Sequence, residues 1–257
     1  MKKGEKDMKD FIITPKNYEK IGIDINQKAV IIPSSFKCKR TQYRVRSIGA
    51  RCFKEKNIES VILPNSVTRI ALQAFSDCHE LRSITLSENI DEIGESAFYN
   101  CFNLKSVKFS NKLPAISKNT LAGCDKITQI RVPENVDYIY YGAFSFCKNL
   151  EHVYFPNVME KISTNIIYQC DKIEEINLPQ KVNTLYKAVS YCHNLRKITI
   201  PDEIDKLVKD FIDGLYTCDN LKEIVWNKKI YDLDGFIVAV KDYFKYEDKF
   251  LWVKGGK

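Results

Sequence analysis

The sequence predicts a repeat solenoid, a coil of stacked parallel strands, because two ladders of residues keep one common step. Seven of its nine cysteines fall at Cys78, Cys101, Cys124, Cys147, Cys170, Cys192 and Cys218, with successive spacings of 23, 23, 23, 23, 22 and 26 residues. An aliphatic ladder, Ile58, Leu81, Leu104, Ile127, Leu150, Ile173, Leu195 and Leu221, advances by nearly the same step. A fixed period of roughly 20 to 50 residues marks a unit that cannot bury its apolar face alone and must stack on its neighbours.

Each unit opens with a Leu-x-x-Ile-x-Leu-Pro segment. Its fourth and sixth positions lie two apart and face one side of a strand. Pro64, Pro133, Pro156, Pro179 and Pro201 close that strand, since proline has no N–H to give to a ladder. Seven full copies run over residues 58–220, and Leu221 opens an eighth. At a strand spacing of about 4.8 Å, eight strands make a rod roughly 35 to 40 Å long.

The fuller unit reads Leu-x-x-Ile-x-Leu-Pro-x-x-Val-x-x-Ile-Gly-x-x-Ala-Phe-x-x-Cys, best seen in LRSITLSENIDEIGESAFYNCFN from Leu81. Over roughly residues 28–226 it resembles the BspA-like class of bacterial leucine-rich repeats. That resemblance implies a right-handed horseshoe or rod, mostly β and turns, with a parallel sheet on its concave face. It also implies protein recognition in adhesion or in host and matrix interaction at a cell surface. The chain departs from the pattern in informative ways. The glycine after the second Ile survives only as Gly49 and Gly94, and is replaced by Ala71, Ser117, Tyr140, Ser163, Tyr186 and Val208. That position therefore demands no positive φ. The Ala-Phe pair drifts to Thr120-Leu121, Ile166-Ile167, Ala188-Val189 and Gly214-Leu215, and the last copy gains three residues near Lys209 to Asp213.

Solenoid ends expose core and need caps. Residues 1–57 read as an N-terminal cap with one irregular repeat, in which Ala29 to Pro33 and Val45 to Phe53 mimic the unit around an inserted loop. Residues 58–226 carry the repeats, and residues 227–257 read as a C-terminal cap. Phe236, Ile237, Val238, Val240, Tyr243, Phe244, Phe250, Leu251 and Trp252 would cover the last coil. A helix plus a strand and a pair of strands both fit this tail.

Composition bounds the function. Charged residues make 28% and the net charge is +7, mildly basic and without the dense stripe of a nucleic-acid binder. No stretch reaches the roughly 18 apolar residues of a membrane span. Met1 to Asp10 is nearly all charged and lacks the apolar region of a secretory signal. A cytoplasmic protein is expected if Met1 is the native start, and a surface or secreted one if a signal has been removed.

The cysteine ladder invites a disulfide or metal reading. Metal sites pair ligands at short spacing, whereas these thiols come one per coil. Side chains on adjacent coils would sit about 4.8 Å apart, beyond the roughly 3.5–4.5 Å Cβ separation of a disulfide. Buried, reduced packing thiols are expected. Cys38 and Cys52 lie off the ladder, and their pairing is left open. His79 and His193 each follow a ladder cysteine, but adjacent residues in a tight turn point apart and do not make a nucleophile–base pair. Nucleophile-elbow, phosphate-loop and zinc-helix motifs are missing from the sequence. The expectation is therefore no enzyme, no cofactor and no metal.

Binding surfaces remain. Positions three and five of each strand point to the concave face, and the middle coils offer Lys108, Gln129, Arg131, His152 and Tyr154 there. Arg and Tyr are enriched at hot spots, and the two cations favour an acidic protein partner. The basic run Lys37, Lys39, Arg40, Arg44, Arg46, Arg51, Lys54 and Lys56, and the aromatic group Tyr138, Tyr140, Tyr141 and Phe146 with Tyr99 and Phe102, are secondary candidates. Carbohydrate stays open as a ligand through the tyrosines. A monomer is expected, and an intracellular scaffold is the alternative to adhesion.

Overall fold

The computed structural model describes residues 8–243, 246–247 and 251–253. Phe244 and Phe250 of the expected cap lie outside the described residues. The chain is a parallel-sheet solenoid of stacked coils. The expected strand ladder is present, but in three pieces. Ala29–Ile31, Ser60–Ile62 and Ser83–Thr85 pair in parallel. Gln129–Arg131 and His152–Tyr154 form an island of two strands. Glu175–Asn177, Lys197–Thr199 and Glu223–Trp226 follow, and Lys229–Tyr231 closes them antiparallel.

A second ladder, absent from the sequence expectation, runs through the other half of each coil. Lys9–Ile13, Thr41–Ile48, Arg69–Ile70 and Glu92–Ile93 form its first part. Ala115–Ile116, Tyr138–Ile139, Val158–Ile162, Lys181–Leu185 and Glu203–Val208 form its second. The break falls at Pro114, which stands where Asp91 and Asp137 each donate a backbone N–H to the preceding coil. Proline has no such hydrogen, so the ladder parts there.

Aliphatic and aromatic columns fill the space between the ladders. Phe53, Phe75 and Phe98 stack at centroid distances of 5.3 and 5.6 Å, all fully buried. All nine cysteines are free, and eight of them are buried. From Cys78 to Cys170 each ladder thiol donates to a carbonyl of the preceding coil at 2.9–3.3 Å. Cys38 is exposed while Cys52 is buried, and they do not pair.

The glycine position works as the departures imply. Gly94 has no positive φ, and a Cβ there would come 2.5 Å from the backbone nitrogen of Leu72. Most of the left-handed backbone falls elsewhere, in two columns. One runs through Arg51, Gln73, Ser96, Asn119, Gly142 and Asn165, and the other through Asp77, Asn100, Gly123, Phe146, Gln169 and Tyr191.

At the N-terminal end the buried Tyr18 ring stacks on Phe53 at 5.8 Å. The inserted N-terminal loop is a hairpin, Ser35–Cys38 against Thr41–Ile48. The insertion of the last copy coincides with a short helix, α1 (Asp210–Tyr216). The tail combines both expected forms. A helix, α2 (Leu233–Tyr243), buries Phe236 and Val240, with the Phe236 ring edge-on to Trp226 at 5.5 Å. Leu251–Val253 pairs antiparallel with Glu203–Val208, and Tyr246–Glu247 pairs antiparallel on its far side.

Candidate functional site

The two-strand island carries four of the five expected site residues. Gln129 stands opposite His152, and Arg131 opposite Tyr154. Ile130 between them is buried, so alternation turns positions three and five outward, and all four side chains are exposed. The Arg131 guanidinium lies 4.5 Å from the Tyr154 ring centroid. Such a contact holds both flat side chains in place and leaves Tyr154 40% exposed. The His152 ring sits 6.1 Å from that of Tyr154, tilted by 39°.

Clefts flank the island on both sides. Lys108 is outside any strand, in the gap before Gln129–Arg131. With Ser106, Gln129, Arg131 and Tyr154 it lines a cleft of about 440 Å³. The structure thus sets Lys108 around one cleft with Gln129, Arg131 and Tyr154, while His152 lines the cleft on the other side.

A larger cleft of about 790 Å³ lies on the other side, where the ladder opens between His152–Tyr154 and Glu175–Asn177. Where the ladder is continuous, the residue after a strand donates to the next coil, as Leu63 does to Thr85, Val132 to Tyr154 and Leu178 to Thr199. Among the described residues Phe155 makes no such bond to Asn177. The opening coincides with a bulky, half-buried residue. Phe155 occupies the position filled by Val132 and Leu178 on either side, and both it and Val153 rise to half-buried where those neighbours are buried. Sequence reasoning missed Glu151 and Glu175 as cleft residues. Glu175 was legible as a position-three residue, but Glu151, at position two, carries no signal in the pattern.

The secondary candidates do not converge. Arg46 is paired with Asp10 at 3.2 Å, Arg51 bonds to Gln73 at 2.8 Å, and Lys54 sits 3.2 Å from Glu55. Only Lys37, Lys39 and Arg40 of that run gather at the exposed hairpin tip. The aromatic group splits as well. Tyr138 neighbours Tyr140, Phe102 stacks on His79 at 4.7 Å, and Phe146 begins a separate edge-to-face row through Tyr168 to Tyr191.

The buried thiols are poor nucleophiles, because burial disfavours the thiolate. Burial pushes Cys52, Cys78 and Cys147 up to about 12, and Cys101, Cys124, Cys170 and Cys192 well above the ordinary thiol value. His193 pairs with Asp219 at 2.7 Å, and Cys192 turns its sulfur inward, so the two do not meet. No helix among the described residues is long and apolar enough to cross a membrane.

Comparison with known proteins agrees with this architecture. The family description "BspA type leucine rich repeat region (6 copies)" matches residues 46–172 and 115–237. A leucine-rich repeat protein from Bacteroides ovatus is similar in structure, with TM-score 0.61 and 23% identity over 79% of this chain. The match spans 64% of that protein, so this chain corresponds to less than two thirds of its length. A T. pallidum leucine-rich repeat protein aligns with TM-score 0.51 and 22% identity, over 76% of this chain and 79% of that one. These two likenesses show the fold. Comparison with curated proteins gives no match. Matched along most of its length by one repeat family, and built as the stacked coils that such repeats make, the chain belongs to the BspA-type leucine-rich repeat family.

Proposed function

We propose that the chain is a non-catalytic protein-recognition module that works in adhesion or in host and matrix interaction, docking its partner on the concave face. One observation carries this reading: the island at coils four and five presents Arg131 stacked on an exposed Tyr154, with a cleft on each side. Rigid, half-exposed Arg and Tyr side chains bordered by concavities are what anchor a partner at little ordering cost. Its test is binding to immobilised host and matrix proteins by wild type and by Arg131→Ala/Tyr154→Ala, with melting curves as the folding control. The double variant is expected to lose about 2 kcal/mol or more of affinity. Equal affinity at unchanged stability would move the site off this island.

A second reading, an intracellular scaffold for a bacterial protein, draws support from the nine free cysteines, since unpaired thiols suit a reducing compartment. Surface biotinylation of intact cells separates the two, because labelling supports adhesion and protection supports the scaffold.

A further inference from the structure

The two clefts differ in charge, and Arg131 and Tyr154 form the wall between them. The smaller one sets Lys108 and Arg131 against a single carboxylate, Glu134. Its larger neighbour sets Glu151, Glu174 and Glu175 against Arg131 and Lys172. Glu174 leans to Arg196 at 3.8 Å. Among the described residues, Glu151, Glu175 and Lys108 have no ion pair. Unpaired charges of opposite sign therefore stand on either side of one wall, open to solvent.

We infer that the island binds an extended peptide segment of a protein partner that carries a carboxylate and a basic side chain four residues apart. This deepens the docking reading above and rests on it. The carboxylate would meet Lys108 and Arg131, and the basic group would meet Glu151 and Glu175 across the Tyr154 wall. Geometry sets the separation. Lys108 and Glu175 lie three coils apart, about 14 Å or a little more, since only the middle step keeps the paired-strand spacing. An extended chain covers about 13 Å in four residues, and residues i and i+4 face the same side. A merely acidic partner, as the two cations alone suggest, would be repelled from the larger cleft. A neutral glycan would leave both charge sets unanswered, and unanswered charge costs affinity once water is displaced.

The test uses the full chain and the labelled peptide Gly-Asp-Thr-Val-Thr-Lys-Gly, blocked at both ends, followed by fluorescence anisotropy at low salt. Two companions replace its ionic pair by Asp/Asp and by Lys/Lys. The mixed peptide is expected to bind at least ten-fold tighter than either companion. Glu151→Lys/Glu175→Lys is expected to exchange that preference for the Asp/Asp peptide, with circular-dichroism melts checking the fold. Three equal affinities, no binding up to about 1 mM, or an unchanged preference in the charge-swapped variant would overturn the inference. So would tighter binding of a neutral oligosaccharide that the Asp/Lys peptide fails to displace. If the peptides fail while a protein partner still needs Arg131 and Tyr154, the docking reading stands and the peptide chemistry falls. If that partner is indifferent to both residues, the docking reading falls too.

Discussion

Cys124, in the middle of the thiol column, offers a sharp test of how the coils are joined. Its side chain is fully buried, and its thiol donates to the Phe98 carbonyl at 3.2 Å. That carbonyl already accepts the Cys101 N–H at 3.3 Å, so removing the thiol leaves no orphaned acceptor. Cys124→Ala then loses the packing of one sulfur, about 1 kcal/mol, plus a weak hydrogen bond and a small cavity. The sum is about 2 kcal/mol. Cys124→Ser keeps a donor facing the same carbonyl. An unpaired buried hydroxyl would cost about 1–3 kcal/mol, and pairing it brings the expected cost down to about 1 kcal/mol. Serine should therefore be milder than alanine, and urea unfolding at equal slope measures both. A serine variant costing about 3 kcal/mol and exceeding alanine would mean that the carbonyl is out of the hydroxyl's reach, and the joint between coils would need another account.

Other outcomes follow from the same structure. A thiol reagent should modify one residue of the native chain, Cys38, and all nine cysteines after denaturation without reductant; several fast native thiols would contradict the buried column. Alkali should unfold the protein. Between the ordinary thiol value of 9.0 and the raised value of about 12 at Cys52, Cys78 and Cys147, the folded chain keeps protons that the unfolded chain has lost. Stability is thus full below about pH 9 and falls as pH rises toward 12, by about 1.4 kcal/mol per pH unit for each such thiol. Melts across this range should show a shallower decline for Cys147→Ser, and an identical decline would refute the assignment. Phe236→Ala, which strips the C-terminal helix of its fully buried ring against Trp226, should cost about 3–5 kcal/mol. An unchanged melting temperature there would show that α2 is a tether and not a cap.

Periodicity made the solenoid legible in the sequence. The 23-residue cysteine step and the aliphatic ladder specify a stacked coil, because a unit of that size has no other way to bury its apolar face. Alternation within each opening segment also placed Gln129, Arg131, His152 and Tyr154 on one exposed face, since side chains in a strand alternate by geometry alone. The second ladder was not legible. Many of its strands, such as Arg69–Ile70 and Glu92–Ile93, are two residues long, too short for any alternation to register. Nor were the left-handed columns, where Asp77, Asn100, Phe146 and Tyr191 share a conformation without sharing chemistry. The clefts belong wholly to the tertiary structure. Phe155 fits the repeat pattern as well as Val132 or Leu178 does, yet it lies where the sheet parts and a cleft lined by Glu151 and Glu175 opens beside the site.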